Sequence, residues 1–172
     1  MYNKFGQFID GKWQTSSNNE TYDVINPATE EVLGKASKAS REDVQKALKS
    51  AERGLKIWRD TSPWQRSYII RRIADKMRER QDVLAKWMTL EVGKPLAEGI
   101  GEVGGAADIF EWNAEETKRI YGQTVESRFP DTRVHVYYQP VGVVAALIPW
   151  NFPLVLASRK NSTALAAGCS VI

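Results

Sequence analysis

The sequence predicts an α/β protein in which a small β element and four helices precede a strand–helix–strand unit. Apolar residues recur every three or four positions through much of residues 44–120, which is the period of amphipathic helices. Residues 143–148 instead form a continuous apolar run of strand length, and a second such run begins at residue 170 after a helical stretch. A composition of 42% hydrophobic and 26% charged residues is typical of a folded globular chain.

The chain opens with a predicted β element. Asp10 and Gly11 stand between short apolar stretches within residues 8–13, and both central positions of a two-residue hairpin turn accept positive φ. Residues 26–29, Asn-Pro-Ala-Thr, predict a second turn, from which residues 31–36 lead away as a strand. We interpret both parts as scaffold.

Start and stop signals delimit three helices. Ser40 followed by Asp43 forms a capping-box pattern, and apolar residues then recur at helical spacing as far as residue 58. Ser62 as N-cap, with Pro63 at the first helical position, predicts a helix from Pro63 to about residue 80. The third helix is predicted to end at Gly93, because glycine provides a left-handed cap and a proline follows two residues later.

Glycines are frequent in the first half of the fourth predicted helix, residues 97–121. Gly99, Gly101 and Gly104 match the dinucleotide fingerprint Gly-x-Gly-x-x-Gly. That fingerprint carries meaning only between a strand and a helix, whereas here a helix stop and a charged turn precede it. We therefore interpret these glycines as sites of close helix packing and not as a phosphate-binding loop.

Charge and composition exclude several classes of function. The 24 basic residues are scattered among 21 acidic ones, so no nucleic-acid partner is expected. The longest apolar run, residues 141–150, is too short to cross a membrane, and residues 1–10 lack the pattern of a secretory signal. Because Cys169 is the only cysteine, we expect no internal disulfide, no cysteine-based metal site and a reducing, cytoplasmic compartment.

A further strand is predicted over residues 133–139, where β-branched and aromatic residues follow a turn. We expect this strand to be exposed or to lie at an interface. His135, the only histidine, stands in it with no second ligand or nucleophile nearby in the sequence, which favours a structural role.

The segment that points to chemistry is the loop after residue 148. In an open α/β sheet, ligands bind beyond the carboxyl ends of the strands, so we expect a site at Asn151. Pro149 and Pro153 fix φ at both ends of the loop, which would hold Asn151 in place. A carboxamide N–H aimed at a carbonyl oxygen stabilises an oxyanion by roughly 3 to 4 kcal/mol in the transition state. The alternative is a turn asparagine that bonds its own backbone.

The chain contains Pro-Val-Gly-Val-Val-Ala-Ala-Leu-Ile-Pro-Trp-Asn-Phe-Pro at residues 140–153 and Ala-Leu-Ala-Ala-Gly-Cys at residues 164–169. These two segments resemble the aldehyde dehydrogenase superfamily. Four shorter motifs occur in that family's order, Phe-Ile-Asp-Gly-Lys-Trp at 8–13, Asn-Pro-Ala-Thr at 26–29, Glu-Val-Gly-Lys-Pro at 91–95 and Glu-Trp-Asn-Ala-Glu-Glu at 111–116. The resemblance covers essentially all 172 residues and is to the amino-terminal portion of the family.

The resemblance implies a fold and a division of the chain. Residues 1–121 would be the amino-terminal helical part of the cofactor domain, residues 122–140 the strands of an oligomerisation β-arm, and residues 141–172 the first strand–helix–strand of a Rossmann-like, doubly wound nucleotide-binding core. The fold would be incomplete relative to the family, and the complete protein is expected to form a homodimer or homotetramer.

The resemblance also implies a reaction, the oxidation of an aldehyde to a carboxylic acid with NAD or NADP through a cysteine thiohemiacetal and thioester. Asn151 would donate its amide to the substrate oxygen, and Ile148, Pro149 and Trp150 would border the cofactor with it. Phe152 would line the substrate tunnel. In the family the nucleophile and the general base lie beyond residue 172, so the chain alone is expected to be inactive. Cys169 is not expected to be the nucleophile.

Arg159 suggests the class of aldehyde. It follows Asn151 by eight residues, and helical side chains lean towards the amino end, so Arg159 can reach back from about 9 Å along the axis beyond Pro153. A guanidinium there would bind a carboxylate at the far end of a short aldehyde. Succinate-semialdehyde dehydrogenases are similar at this position, although Asn113 replaces an aromatic residue found in several of them, which puts the shape of the tunnel in question.

Alternatives remain open at this point. Arg159 is either a substrate ligand or the partner of a structural salt bridge, with Lys160 facing the site instead, in which case the enzyme would act on uncharged aldehydes. A different class of function is a catalytically silent, truncated assembly module that retains the oligomerisation strands. Asn151 between two prolines favours the enzyme, because an assembly module does not need a hydrogen-bond donor that is held rigidly in an active-site loop.

Overall fold

A computed structural model describes residues 6–172 of the chain, and the elements follow the predicted α/β order. In chain order they are β1 (Gln7–Ile9), β2 (Lys12–Gln14), β3 (Thr21–Ile25), β4 (Val32–Ser37), α1 (Arg41–Asp60), α2 (Pro63–Glu79), α3 (Gln81–Val92), α4 (Leu96–Thr117), β5 (Gln123–Glu126), β6 (Arg133–Val136), β7 (Val143–Val144), α5 (Pro153–Ala166) and β8 (Ser170–Val171). Within the described residues the strands form four two-stranded sheets.

The predicted hairpin is confirmed as the antiparallel pair β1–β2, in which Asp10 and Gly11 both have positive φ. Strand β4 confirms the strand predicted over residues 31–36. Its antiparallel partner β3, of which only Val24 is partly buried, was not predicted, although Tyr22 and Val24 alternate with Thr21 and Asp23 as in a strand.

Local capping signals begin and end the helices where the sequence predicts. The Ser40 hydroxyl accepts from the backbone N–H of Asp43 at 3.1 Å, and the Asp43 carboxylate accepts from the Ser40 N–H at 2.9 Å, which completes the capping box of α1. The Ser62 hydroxyl accepts from the N–H of Gln65 at the start of α2. Gly93, with φ of 76°, ends α3 in the left-handed conformation.

The core lies between α2, α3, α4 and α5 and is built largely from small side chains. Its fully buried members include Ile70, Ala74, Ala85, Val103, Ala106, Ala107 and Ala114. The fingerprint-like glycines lie inside α4 and not between a strand and a helix. A Cβ at Gly99 would stand 3.0 Å from the carbonyl oxygen of Ala85 on α3, so the interpretation as close helix packing is confirmed at that position.

Two predicted boundaries near the arm are wrong. Helix α4 ends at Thr117 instead of residue 121, and β6 ends at Val136 instead of residue 139. The chain must become extended at once to pair Gln123 with Val136, and Gly122 lies so close to β6 that an added Cβ would be 2.5 Å from the Val136 oxygen. Strands β5 and β6 are exposed throughout, as predicted. His135 contacts the Thr124 hydroxyl across the pair, which agrees with its structural interpretation.

The predicted strand–helix–strand unit is present, but its first strand is shorter than predicted. Strand β7 pairs in parallel with β8 over two residues only, and not over the whole of residues 143–148. Two further bonds continue the contact, from the Ile172 N–H to the Val144 oxygen at 2.9 Å and from the Ala146 N–H to the Ile172 oxygen at 2.8 Å. In the described part of the chain β7 has one neighbouring strand, so much of the apolar run has no ladder partner.

Helix α5 is held against the helical core on two sides. It packs on α4 along its length, and the indole N–H of Trp58 on α1 donates to the Leu165 oxygen at 2.9 Å. The Trp58 contact is made at the carboxyl end of α5, opposite the end that the loop from β7 joins. No helix in residues 6–172 is both long enough and apolar enough to span a membrane.

Candidate functional site

The candidate site is the loop of residues 149–152, which connects the carboxyl end of β7 to the amino end of α5. Pro153 is the first residue of α5, and Phe152 before it provides no side-chain cap. Asn151 is exposed, and within residues 6–172 its side chain makes no hydrogen bond. The alternative of a turn asparagine bonded to its own backbone is therefore not observed, and the carboxamide is free to meet a ligand.

Residues of the loop line two different pockets. Trp150, which is 79% exposed, lines a pocket of about 490 Å³ together with residues of β3 and α3. Phe152 and Arg159 line a second pocket of about 480 Å³ with Gly101 and Glu102 of α4. The structure thus brings together the two residues predicted to bind substrate and separates them from Trp150. Ile148 and Pro149 line neither of these two pockets.

Arg159 is exposed and makes no ion pair with any described residue, and the same is true of Lys160. The predicted alternative of a structural salt bridge at Arg159 is thus not found in this part of the chain. Glu98 lines the same pocket as Arg159, so one carboxylate is already present near the guanidinium. The lining of the pocket thus includes a cationic group, Arg159, and an aromatic ring, Phe152.

Sequence reasoning missed a buried ion pair beside the loop. Lys94 is 8% exposed and Glu102 is 5% exposed, and the Lys94 ammonium donates to Oε2 of Glu102. The other carboxylate oxygen, Oε1, accepts from the backbone N–H groups of Leu154 and Val155 at 2.9 and 3.1 Å. Glu102 thus supplies the cap that the N-cap residue of α5 lacks, and its charge lies at the positive end of the helix dipole.

The same lysine contacts the loop directly. The Lys94 Nζ lies 3.9 Å from the centroid of the Phe152 ring, a distance typical of a cation–π contact. The available signal in the sequence was the position of Glu102, three residues after Gly99 and four before Ala106 on the buried stripe of α4. A charge on a buried helix face requires a partner, but its identity depends on the tertiary fold.

Two other residues have structural partners. The Asn113 amide donates to the Ser162 hydroxyl at 2.9 Å and to the Ile109 oxygen, so it joins α4 to α5. Cys169 is 3% exposed in the turn after α5, where its N–H bonds the Ala164 oxygen. That burial agrees with the expectation that Cys169 is not the nucleophile. Residues 6–172 contain no cluster of three or more metal-binding side chains.

The described residues thus combine a helical layer, a parallel strand pair and a proline-flanked loop, and solved aldehyde dehydrogenase structures share this α/β arrangement over about a third of their length. Residues 13–172 match the model of the aldehyde dehydrogenase family, and the chain belongs to that family. Among solved structures it resembles an NADP-dependent enzyme of Escherichia coli, with a TM-score of 0.94 and 46% identity over 98% of this chain and 36% of the other. A betaine aldehyde dehydrogenase of Staphylococcus aureus in complex with NAD+ matches with a TM-score of 0.91 and 37% identity, over 95% of this chain and 33% of the other.

Curated relatives include enzymes for semialdehydes. The chain is 45% identical to a glutarate-semialdehyde dehydrogenase of Pseudomonas aeruginosa over 96% of its own length and 34% of the relative. It is 46% identical to an NADP+-dependent succinate-semialdehyde dehydrogenase of Escherichia coli over 95% of its length and 34% of the relative. The chain therefore spans about a third of the length of the curated relatives it matches.

Proposed function

We propose that the full-length protein oxidises a small aldehyde to a carboxylic acid with NAD or NADP, and that Asn151 donates a hydrogen bond to the substrate oxygen. The observation that carries this proposal is the exposed carboxamide of Asn151, which has no described protein partner in a loop bounded by two prolines. A donor that is held in position and unbonded before substrate arrives loses little to reorganisation when negative charge develops on the oxygen. Membership of the aldehyde dehydrogenase family supports the reaction class.

The cofactor is proposed to lie along Ile148, Pro149, Trp150 and Asn151. These residues follow the carboxyl end of a parallel strand, and Trp150 presents an exposed apolar surface there, which suits a nucleotide in an open α/β sheet. When bound, the nicotinamide supplies the hydride acceptor. The buried Cys169 does not suit the role of the nucleophilic cysteine.

A semialdehyde is the proposed substrate class, with its carboxylate on Arg159 and its carbon chain against Phe152. Two features support this, the shared pocket of the two residues and the semialdehyde dehydrogenases among the relatives. A neutral aldehyde is the second candidate, because Glu98 in the same pocket repels a second carboxylate.

The Asn151 role is tested in the full-length protein with Asn151→Ala and the isosteric Asn151→Asp. Both remove the N–H donor, so both should lower the single-turnover rate of cofactor reduction about a hundredfold or more. Cofactor affinity should stay nearly unchanged in Asn151→Ala, because the cofactor is proposed to border the backbone of this loop. Asn151→Asp separates donation from shape, since it fills the same space and adds a repelling charge. Unaltered turnover in either variant would remove Asn151 from the mechanism.

The substrate class is tested by comparing kcat/KM for succinate semialdehyde and for an uncharged aldehyde of similar length in Arg159→Ala. Loss of the charged contact should cost the semialdehyde roughly 2 kcal/mol, the lower end expected for such a contact because Arg159 is exposed and screened by solvent. Lys160→Ala is the matched control, since it removes a neighbouring exposed cation. Equal losses for both aldehydes would exclude the carboxylate role.

Assembly is proposed to use residues 122–140, where β5 and β6 form an exposed hairpin, in a homodimer or homotetramer. The silent assembly module is distinguished from the enzyme by activity. Full-length protein that folds and assembles but oxidises no aldehyde with either nicotinamide cofactor would favour the silent module.

A further inference from the structure

We propose that Lys94 and Glu102 are positioning residues that hold the Asn151 loop in its donating geometry, an inference that rests on the oxyanion role proposed for Asn151. Among residues 6–172, the side-chain hydrogen bonds and the cation–π contact of this buried pair, other than the ion pair itself, are made to the loop or to the first turn of α5. Glu102 binds the N–H groups of Leu154 and Val155, and Lys94 lies on the ring of Phe152.

The pair holds the loop from its carboxyl side, next to Asn151. Phe152 follows Asn151 directly, and Leu154 follows it by three residues, with the fixed φ of Pro153 between them. On the amino side, the Ala146 N–H bonds the Ile172 oxygen and Pro149 fixes a second φ. The conformational freedom of the chain is thereby reduced on both sides of Asn151, and only the carboxyl-side restraint uses charged side chains.

Burial of the two charges argues for a role beyond stability. Removing two ions from water is costly, and a well-packed apolar pair often stabilises a core as well or better. Here each charge makes a specific contact at the loop or at the start of α5. The carboxylate completes the amino end of α5, where negative charge is favoured, and the ammonium binds the electron-rich face of the Phe152 ring.

The test is a double-mutant cycle in the full-length enzyme between Glu102→Gln and Asn151→Ala, read by the single-turnover rate of cofactor reduction with a saturating aldehyde. If Glu102 acts through Asn151, Glu102→Gln should lower the rate at least about tenfold when Asn151 is present and less than about twofold in the Asn151→Ala background. A residue that only stabilises the fold would lower the rate equally in both backgrounds, and equal losses would overturn the proposal.

Val103→Ala is the matched control, since Val103 is the fully buried neighbour of Glu102 on α4 and its side chain carries neither a charge nor a hydrogen-bonding group. It should lower thermal stability but leave the single-turnover rate unchanged. A rate loss in Val103→Ala as large as that in Glu102→Gln would also overturn the proposal. If Glu102→Gln does not fold, Lys94→Met replaces it in the same cycle, because Glu102 then keeps its two backbone donors.

The cycle separates failure of this proposal from failure of the proposed function. An Asn151→Ala variant with the wild-type rate would refute the oxyanion role itself and, with it, the positioning role. A slow Asn151→Ala variant combined with an unchanged rate in Glu102→Gln would leave the oxyanion role intact and refute only the positioning role.

Discussion

Replacing two glycines of α4 by alanine should have opposite effects on stability, although both lie in the same helix. Alanine is favoured over glycine in a helix interior by about 0.8 to 1 kcal/mol, partly because it restricts the unfolded chain. At Gly101 nothing lies within 4 Å of the added Cβ, so the full gain is expected. At Gly99 the added Cβ would stand 3.0, 3.3 and 3.4 Å from the oxygen, Cα and Cβ of Ala85.

The Gly99 contacts are with the backbone and Cβ of a fully buried residue, so relief requires α3 and α4 to separate. Overpacking of this kind costs about 1 to 3 kcal/mol, which exceeds the helix gain. We therefore expect Gly99→Ala to be less stable than Gly101→Ala by about 2 kcal/mol. The measurement is the urea midpoint of the two full-length variants and the parent under one set of conditions.

Two outcomes would refute this reasoning. Equal stabilisation by both substitutions would show that α3 and α4 do not meet closely at Gly99. A large loss of cofactor affinity in Gly101→Ala would show that these glycines act as a dinucleotide fingerprint after all, whereas their place inside α4 predicts an unchanged Kd in both variants.

Two further predictions concern Asp43 and Cys169. The Asp43 carboxylate accepts hydrogen bonds from the backbone N–H groups of Ser40 and Ser17 and from the Ser16 hydroxyl. These bonds, that of Ser40 most strongly, hold the pKa of Asp43 well below its ordinary value of 3.8. A lowered folded pKa contributes stability that is fully present above 3.8 and is lost as the pH falls from there through the folded pKa, so Asp43→Asn should flatten the loss of stability as the pH falls below about 4. Equal acid sensitivity in urea titrations of the two proteins would contradict this. Cys169→Ala should keep its aldehyde turnover in the full-length enzyme, because the buried thiol is not the nucleophile, and an inactive but folded variant would reverse that assignment.

The elements that the sequence predicted well are those with local causes. The capping box at Ser40, the proline start at Pro63 and the glycine stop at Gly93 each involve residues within one helical turn of the boundary. The Asn151 loop belongs to the same group, since its two prolines and the preceding apolar run are contiguous in the chain.

The predictions that failed depended on partners distant in sequence. Strand β3 was not predicted, and it is defined by its hydrogen bonds to β4. The apolar run at 143–148 predicts a long buried strand, whereas β7 is only as long as its pairing with β8 allows. The end of α4 is likewise set by the need to align Gln123 with Val136.

The sequence by itself determined the family, the capped helix ends at Ser40, Pro63 and Gly93, and the loop that carries Asn151, because each of these depends on adjacent or helically spaced residues. The tertiary structure alone decided which groups surround that loop. Packing of α4 against α5 brings Glu102 to the N–H groups of Leu154 and Val155, 52 and 53 positions away, and places Arg159 in one pocket with Phe152. Separations of that size leave no pattern in a single sequence, since the contact depends on how helices pack and not on the order of residues along either one.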